Sequence, residues 1–275
     1  MQTIKRDGIM LAYEVKGPKD AKETIMFHNG VMASYTSWSI YAKLFERLGL
    51  RVILYDMRGQ LLSDKPQGPY TFKTHAMDAC AIMDAVGVKQ AHMVGTSYGG
   101  EVAMKMGIIV PDRVASLMVI DSVASIDEQV KRFIELWIML AKTEDAERFF
   151  EGVKATLYHP EYIKQHQADM AKRVEAMAQL PVEYYRGQVT LYETFLHDVD
   201  MLDDLQDITA PTLIVCGADD ILKPVKFSEA IHRSIDKSEF VIIPDCAHVA
   251  IFEKPQELLT LMRGFVIKNT TWSKG

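Results

Sequence analysis

The chain has 275 residues, 48% of them hydrophobic and 25% charged, with a formal net charge of -6 at pH 7. That length closes a sizeable core without disulfide or metal staples, and the balance excludes a disordered or fibrous chain. No run of Lys and Arg could track a phosphate backbone, so the composition argues against a nucleic-acid partner and suits a neutral or modestly polar small molecule.

The opening residues, Met1 to Gly8, lack the apolar stretch of a secretory signal. No uninterrupted apolar segment approaches the roughly 20 residues that span a bilayer, so a cytoplasmic protein without a membrane partner is expected. Amphipathic segments near Ile4 and Leu11 predict an antiparallel edge. The first buried strand is predicted at Thr24 to Phe27. It runs into His28, Asn29, Gly30, Val31 and Met32, a tight turn whose glycine lets backbone N–H groups face a pocket. Apolar runs at Arg51 to Tyr55, His92 to Val94, Ser116 to Ile120, Thr212 to Cys216 and Phe240 to Ile243 suit further strands buried on both faces. Helical spacing lies between them, at Tyr41 to Leu48, His75 to Val86, Gly100 to Val110, Val225 to Ser234 and Pro255 to Val266. The alternation predicts an α/β fold with a mainly parallel sheet flanked by helices.

From about Ser125 to Leu205 the rhythm changes to helical spacing alone, broken at Pro181. That is the length of an inserted helical domain. Its aromatic residues and methionines, among them Phe133, Trp137, Met139, Phe149, Phe150 and Tyr192, are expected mostly in its core. The expected organisation is a core of residues 1–124 and 206–275 with the helical insertion at 125–205.

Gly95, Thr96, Ser97, Tyr98 and Gly99 match the G-x-S-x-G pattern of a nucleophile carried on a strand-to-helix turn. The glycines are needed where backbone and neighbouring helix crowd together. The helix amino terminus favours negative charge developing at Ser97. A serine hydroxyl needs a base, and the base needs an orienting partner. His248 follows the strand at Phe240 to Ile243 by a short loop, so it stands at a strand's carboxyl end, as Ser97 does. Asp219 and Asp220 stand at the end of the preceding strand, and either could orient His248. In open parallel sheets that edge binds ligands. Two N–H donors must hold an oxyanion, and they are assigned to Tyr98 and Val31, with Met32 the alternative to Val31. Cys80, Cys216 and Cys246 have no close pairing and are expected to be reduced, small buried residues; a reactive thiol at Cys246 is the lesser reading.

Together these residues resemble the α/β-hydrolase family over almost the whole chain outside the inserted helices. Tyr55 to Pro66 is similar to the D-x-R-G-x-G-x-S loop of its esterase and lactonase branches, with Gln60 and Leu61 departing from it. Pro211 to Pro224 resembles the P-T-L-x-x-x-G-x-x-D segment, which selects Asp220 over Asp219 as the acid. His248, Glu253 and Pro255 resemble the H-x-x-x-x-E-x-P ending, in which the carboxylate belongs to the scaffold. Asn29 before Gly30, where the family usually has His, resembles the 3-oxoadipate enol-lactonase branch. The resemblance implies a helical cap over the site and hydrolysis of a small carboxylic ester or lactone by Ser97, His248 and Asp220. Met32, Tyr98, Trp137, Leu222 and Val249 are then expected to line the pocket. No metal or other cofactor is expected, nor a phosphate-binding loop, and the protein is expected to be a monomer or homodimer. Serine at position 97 counts against dehalogenase and epoxide hydrolase chemistry, which the resemblance would give to an Asp there. Amidase or aminopeptidase, thioesterase, perhydrolase and C–C hydrolase activities use the same triad and remain open, as does a receptor of the same fold.

Overall fold

The computed structural model describes residues 1–271. Among these, eight strands form one sheet: β1 (Gln2–Arg6), β2 (Ile9–Lys16), β3 (Thr24–His28), β4 (Arg51–Tyr55), β5 (Ala91–Thr96), β6 (Val114–Ile120), β7 (Thr212–Gly217) and β8 (Ser238–Ile243), in the order β1-β2-β4-β3-β5-β6-β7-β8. β1 and β2 are the antiparallel edge, and the six strands from β4 to β8 run parallel. The helices are α1 (Ser39–Arg47), α2 (Phe72–Ala85), α3 (Tyr98–Ile109), α4 (Glu128–Ala141), α5 (Ala146–Leu157), α6 (Pro160–Gln165), α7 (Gln167–Ala178), α8 (Val182–Asp198), α9 (Val225–Ser234), α10 (Ala250–Glu253) and α11 (Pro255–Lys268).

Side chains alternate across the sheet with a period of two, so each central strand feeds two apolar layers. Met26, Ile53, Met93 and Val119 join one core with α2 and α3, while Ile25, Phe27, Val52 and Val94 join the other with α1 and α11. This double burial is why these strands read as continuous apolar runs. Each predicted strand and helix is present, with ends moved by a few residues. α2 begins earlier than its periodicity implies because the Thr71 hydroxyl caps it, accepting from the Thr74 N–H at 3.0 Å.

Strand order reverses between β3 and β5, which pair with His28 opposite Gly95. A crevice opens beyond the carboxyl ends of strands at such a point, so the turn after β3 and the turn after β5 share one site.

Between β6 and β7 the chain forms helices α4 to α8. Asp127 and Asp145 cap α4 and α5 through the N–H groups of Val130 and Arg148, each at 3.0 Å, and Pro181 separates α7 from α8. Trp137 of α4 meets Tyr192 of α8 edge to face at 5.6 Å, and Phe149, Phe150 and Tyr184 are buried. Met139 departs from expectation: it is 67% exposed, because it falls on the outer face of α4. The helices are tied to the sheet by the Met32 N–H donating to Gln188, the Tyr70 N–H to Thr194 and the His248 N–H to the Leu157 carbonyl. Among the described residues no helix is long and apolar enough to cross a membrane.

Two histidines are locked in this core. Burial lowers His28 and His75 from an ordinary 6.5 to about 3, with Arg58 adding repulsion at His75; their partners are the Tyr55 and Tyr98 hydroxyls. Both are neutral in either state above pH 6.5. As pH falls from 6.5 towards 3, the unfolded chain takes up protons that the folded chain refuses, so stability is lost by about 1.4 kcal/mol per pH unit for each ring. Buried carboxylates such as Glu101 and Asp121, whose values burial raises, act in the opposite sense at the acid end. The isolating measurement is therefore a difference. His75→Gln should show a shallower fall in unfolding free energy than wild type between pH 6.5 and 5, and parallel urea-derived curves would refute the assignment.

Candidate active site

β5 ends at Thr96, and Ser97 turns the chain into α3 with φ 51° and ψ -124°, a left-handed backbone that a non-glycine residue adopts only under strain. The surroundings enforce the turn. A Cβ on Gly95 would lie 2.1 Å from the Gly99 carbonyl oxygen, and one on Gly99 would lie 2.1 Å from that of His28. The Ser97 N–H donates to the Ile120 carbonyl at 2.8 Å, and the Ser122 hydroxyl donates to the Ser97 carbonyl at 2.9 Å.

His248 reaches this serine from the loop after β8. Its Nε2 lies 2.9 Å from Ser97 Oγ, and its Nδ1 lies 2.8 Å from Asp220 Oδ2. The other Asp220 oxygen accepts from the Leu222 and Lys223 N–H groups at 2.9 and 2.8 Å, which fixes the carboxylate plane. Asp219 turns outward, half exposed, with its carboxylate 3.8 Å from His159. Of the two adjacent acids, only Asp220 meets His248.

Asp121, which the sequence did not single out, braces both loops. Its two oxygens accept from the Gly217 N–H at 3.0 Å and the Ala250 N–H at 3.2 Å, so it ties the turns that carry Asp220 and His248 to the end of β6. Burial, and secondarily the nearby Asp220, holds its carboxyl well above the usual range. Glu253 accepts from the N–H groups of Ala247 and His159, at 3.1 and 3.2 Å, a scaffold position. The reactive-thiol reading of Cys246 is corrected. Its side chain is fully buried, and burial pushes the thiol far above its ordinary range, away from the thiolate that reactivity requires.

The turn after β3 is held from beneath. Asn29 donates to the Tyr55 carbonyl at 2.9 Å and to Gln60 Oε1 at 3.0 Å, while it accepts from the Trp38 indole at 3.0 Å. Gln60 in turn donates to the Gly30 carbonyl at 2.8 Å. Gln60, next to the Leu61 that stands where the family's loop has its second glycine, is thus a buried strut beneath that turn. The Met32 N–H is spent on Gln188 at 2.9 Å. The Val31 N–H takes no partner among the described residues, and Tyr98 opens α3, where the first N–H groups lack intrahelical acceptors.

Sequence reasoning also missed a buried ion pair beside the serine. Lys223 Nζ lies 2.9 Å from Glu101 Oε1 and 3.3 Å from Ser97 Oγ, over the Phe195 ring at 4.8 Å. Both side chains are almost wholly buried. Burial raises the Glu101 carboxyl, and the Lys223 charge opposes that rise.

These groups face a narrow cleft that holds Ser97 and His248 and has Met32, Trp137 and Val249 in its walls. A smaller recess beside it is bounded by Val31, Tyr98, Trp137, Leu222 and Lys223. Among the described residues, no group of three or more His, Cys, Asp or Glu side chains is placed to hold a metal ion.

Residues 23–255 match the model of the α/β-hydrolase fold family. The chain is 29% identical to the RutD protein of Azorhizobium caulinodans, provisionally named a carbamate hydrolase, over 93% of this chain and 94% of that one. It is 26% identical to 3-oxoadipate enol-lactonase 1 of Acinetobacter baylyi, over 95% and 94%. Among solved structures, MGS-M2, an α/β-hydrolase enzyme from a Medee basin deep-sea metagenome library, superposes with a TM-score of 0.91 at 26% identity, covering 96% of this chain and 97% of that one. By fold, strand order and a family match over most of its length, the chain belongs to the α/β-hydrolase family of enzymes.

Proposed function

We propose that the protein is a serine hydrolase of small carboxylic esters or lactones. The observation that carries this reading is the unbroken hydrogen-bond chain Ser97, His248, Asp220 at the carboxyl edge of the sheet. Ser97 Oγ attacks the substrate carbonyl as His248 Nε2 takes its proton, and Asp220 holds the imidazole in the tautomer that can accept it. The resulting oxyanion is received by the N–H groups of Val31 and Tyr98. His248 then returns the proton to the departing alcohol oxygen. Water, activated by the same ring, cleaves the acyl-enzyme to the acid and restores Ser97. For a lactone, acid and alcohol leave as one hydroxy acid. Helices α4 to α8 act as a cap that keeps bulk water from the cleft, with residues 125–205 as the capping unit. A carbamate or amide substrate is the second reading, favoured by the likeness to RutD; an amine would then be the group that leaves.

The test is hydrolysis of p-nitrophenyl acetate and butyrate by wild type and Ser97→Ala, each first shown to be folded by circular dichroism, beside labelling of the serine with a fluorophosphonate. Turnover and labelling that both vanish in the variant are the expected result. Folded wild type that neither turns over nor takes the label would end the serine-hydrolase reading and favour a receptor. Anilide turnover exceeding ester turnover would favour the second reading.

A further inference from the structure

Among the described residues, the cleft beside Ser97 is lined by one cation that has no carboxylate partner. Arg173 of α7 is half-buried and lines the same cleft as Ser97 and His248. Its guanidinium carbon lies 5.2 Å from the centre of the Phe252 ring and 5.8 Å from that of Phe150, and one N–H donates to the Tyr158 hydroxyl at 2.8 Å. Among the described residues no carboxylate lies within ion-pair distance of it. Glu253, the last residue of α10, is spent on the N–H groups of Ala247 and His159. The other buried cation of the site, Lys223, is already matched by Glu101 at 2.9 Å, so it has no charge left to offer a ligand.

We infer that the substrate carries a carboxylate, and that Arg173 is the residue that receives it while the reacting carbonyl sits at Ser97. The substrate class rests on the serine-hydrolase reading for the carbonyl, whereas the anion anchor rests on Arg173 alone. A guanidinium has five N–H donors in a planar fork that matches a carboxylate, and the Tyr158 hydroxyl uses one of them. The two aromatic rings and the Tyr158 bond hold the fork in place before any ligand arrives, so little side-chain entropy is lost on binding. The walls of the same cleft include Met32, Leu157 and Val249, which offer an acceptor no competing charge. A neutral ligand filling this cleft would strip water from Arg173 and leave it unpaired, which is unfavourable. The fitting ligand is an ester or lactone with a short apolar spacer ending in a carboxylate.

Matched ester pairs test this: p-nitrophenyl butyrate against mono-p-nitrophenyl glutarate, with the charge in the acyl half, and phenyl butyrate against 4-carboxyphenyl butyrate, with the charge in the alcohol half. In at least one pair wild type should favour the anionic member. Arg173→Gln should lower the anionic-to-neutral ratio of kcat/KM by roughly 100-fold, the scale for removing one partner of a desolvated charge pair, with Arg173→Lys in between. Wild type alone supplies a measurement that no folding defect can spoil: glutarate should inhibit at lower concentration than glutaramide. Absence of an anionic preference in both pairs, or equal losses on both members in Arg173→Gln, overturns the inference while ester turnover and fluorophosphonate labelling leave the hydrolase reading intact. Loss of turnover and labelling in folded wild type overturns both.

Discussion

Ser97→Ala and His248→Ala should each lower kcat for ester hydrolysis by roughly a million-fold, and the double variant should be no slower than either single one. The reason is that the two residues act as a unit. Without His248 the Ser97 hydroxyl keeps its proton and is a poor nucleophile; without Ser97 the imidazole has nothing to deprotonate but water. What survives, about 10^3 to 10^4 over the uncatalysed reaction, comes from binding and from the oxyanion donors, which neither substitution touches. Asp220→Asn should cost less, about 10^4 in kcat. An asparagine can still accept from the Leu222 and Lys223 N–H groups, so the loop should keep its shape. Its amide NH2 would face His248 Nδ1, however, and force that nitrogen to accept, so the proton moves to Nε2, where Ser97 needs an acceptor. Initial rates on p-nitrophenyl butyrate measure all four variants. Strict multiplication of the two single losses in the double variant would mean that Ser97 and His248 act independently, and a fully active Asp220→Asn would remove the acid from the mechanism.

Much of this architecture is legible in the sequence because its physics is local. Strands buried on both faces must be apolar throughout, and the turn at Ser97 must have glycine wherever a Cβ would strike backbone, so both leave a mark in one short segment. The choice between Asp219 and Asp220 is different in kind. Both follow β7 within three residues of Gly217, and residue type alone does not separate them; the motif resemblance favours Asp220, and the hydrogen bond to His248 agrees. Glu101 and Lys223 are 122 positions apart, and each alone reads as an ordinary surface charge on a helix or in a loop. Only the packing of α3 against the loop after β7 makes them a buried pair. Arg173 is hidden for the same reason: on an amphipathic helix rich in charge, nothing in the spacing distinguishes the one residue that turns towards the cleft. A warning is present in one case. Glu101 follows Gly100 by one position on a helix whose first turn is otherwise apolar or glycine and which packs against the central strands β5 and β6, so a charge there needs a partner.

Lys223→Met should destabilise the protein by about 3–5 kcal/mol, because it leaves the Glu101 carboxylate buried with the Val123 N–H as its remaining partner. For a chain of this size that corresponds to a fall in Tm of roughly 6–20 °C. The loss should depend on pH in a defined direction. Burial already raises the Glu101 carboxyl, and removing the ammonium removes the largest opposing influence, so the folded value climbs further above the ordinary 4.5. Below 4.5 the group is protonated in both states and the variant bears no charge penalty. Above it the unfolded chain ionises first, so the deficit grows with pH until the folded carboxyl ionises too. Glu101→Gln alone should also destabilise, since it strands the Lys223 ammonium between the Ser97 hydroxyl and the Phe195 ring. The double variant Glu101→Gln, Lys223→Met should recover most of the loss, because the glutamine oxygen can keep the Val123 N–H and no charge remains buried. A double-mutant cycle of thermal melts at pH 8 and at pH 5 measures this. Additive losses, or a Lys223→Met deficit unchanged between the two pH values, would mean that the pair is not electrostatically coupled. The expected non-additivity would instead show that Glu101 and Lys223 are coupled, each destabilising mainly when the other is left buried alone, and the contact of Lys223 with Ser97 Oγ makes the kcat of the uncharged double variant the measure of what the pair contributes at the nucleophile.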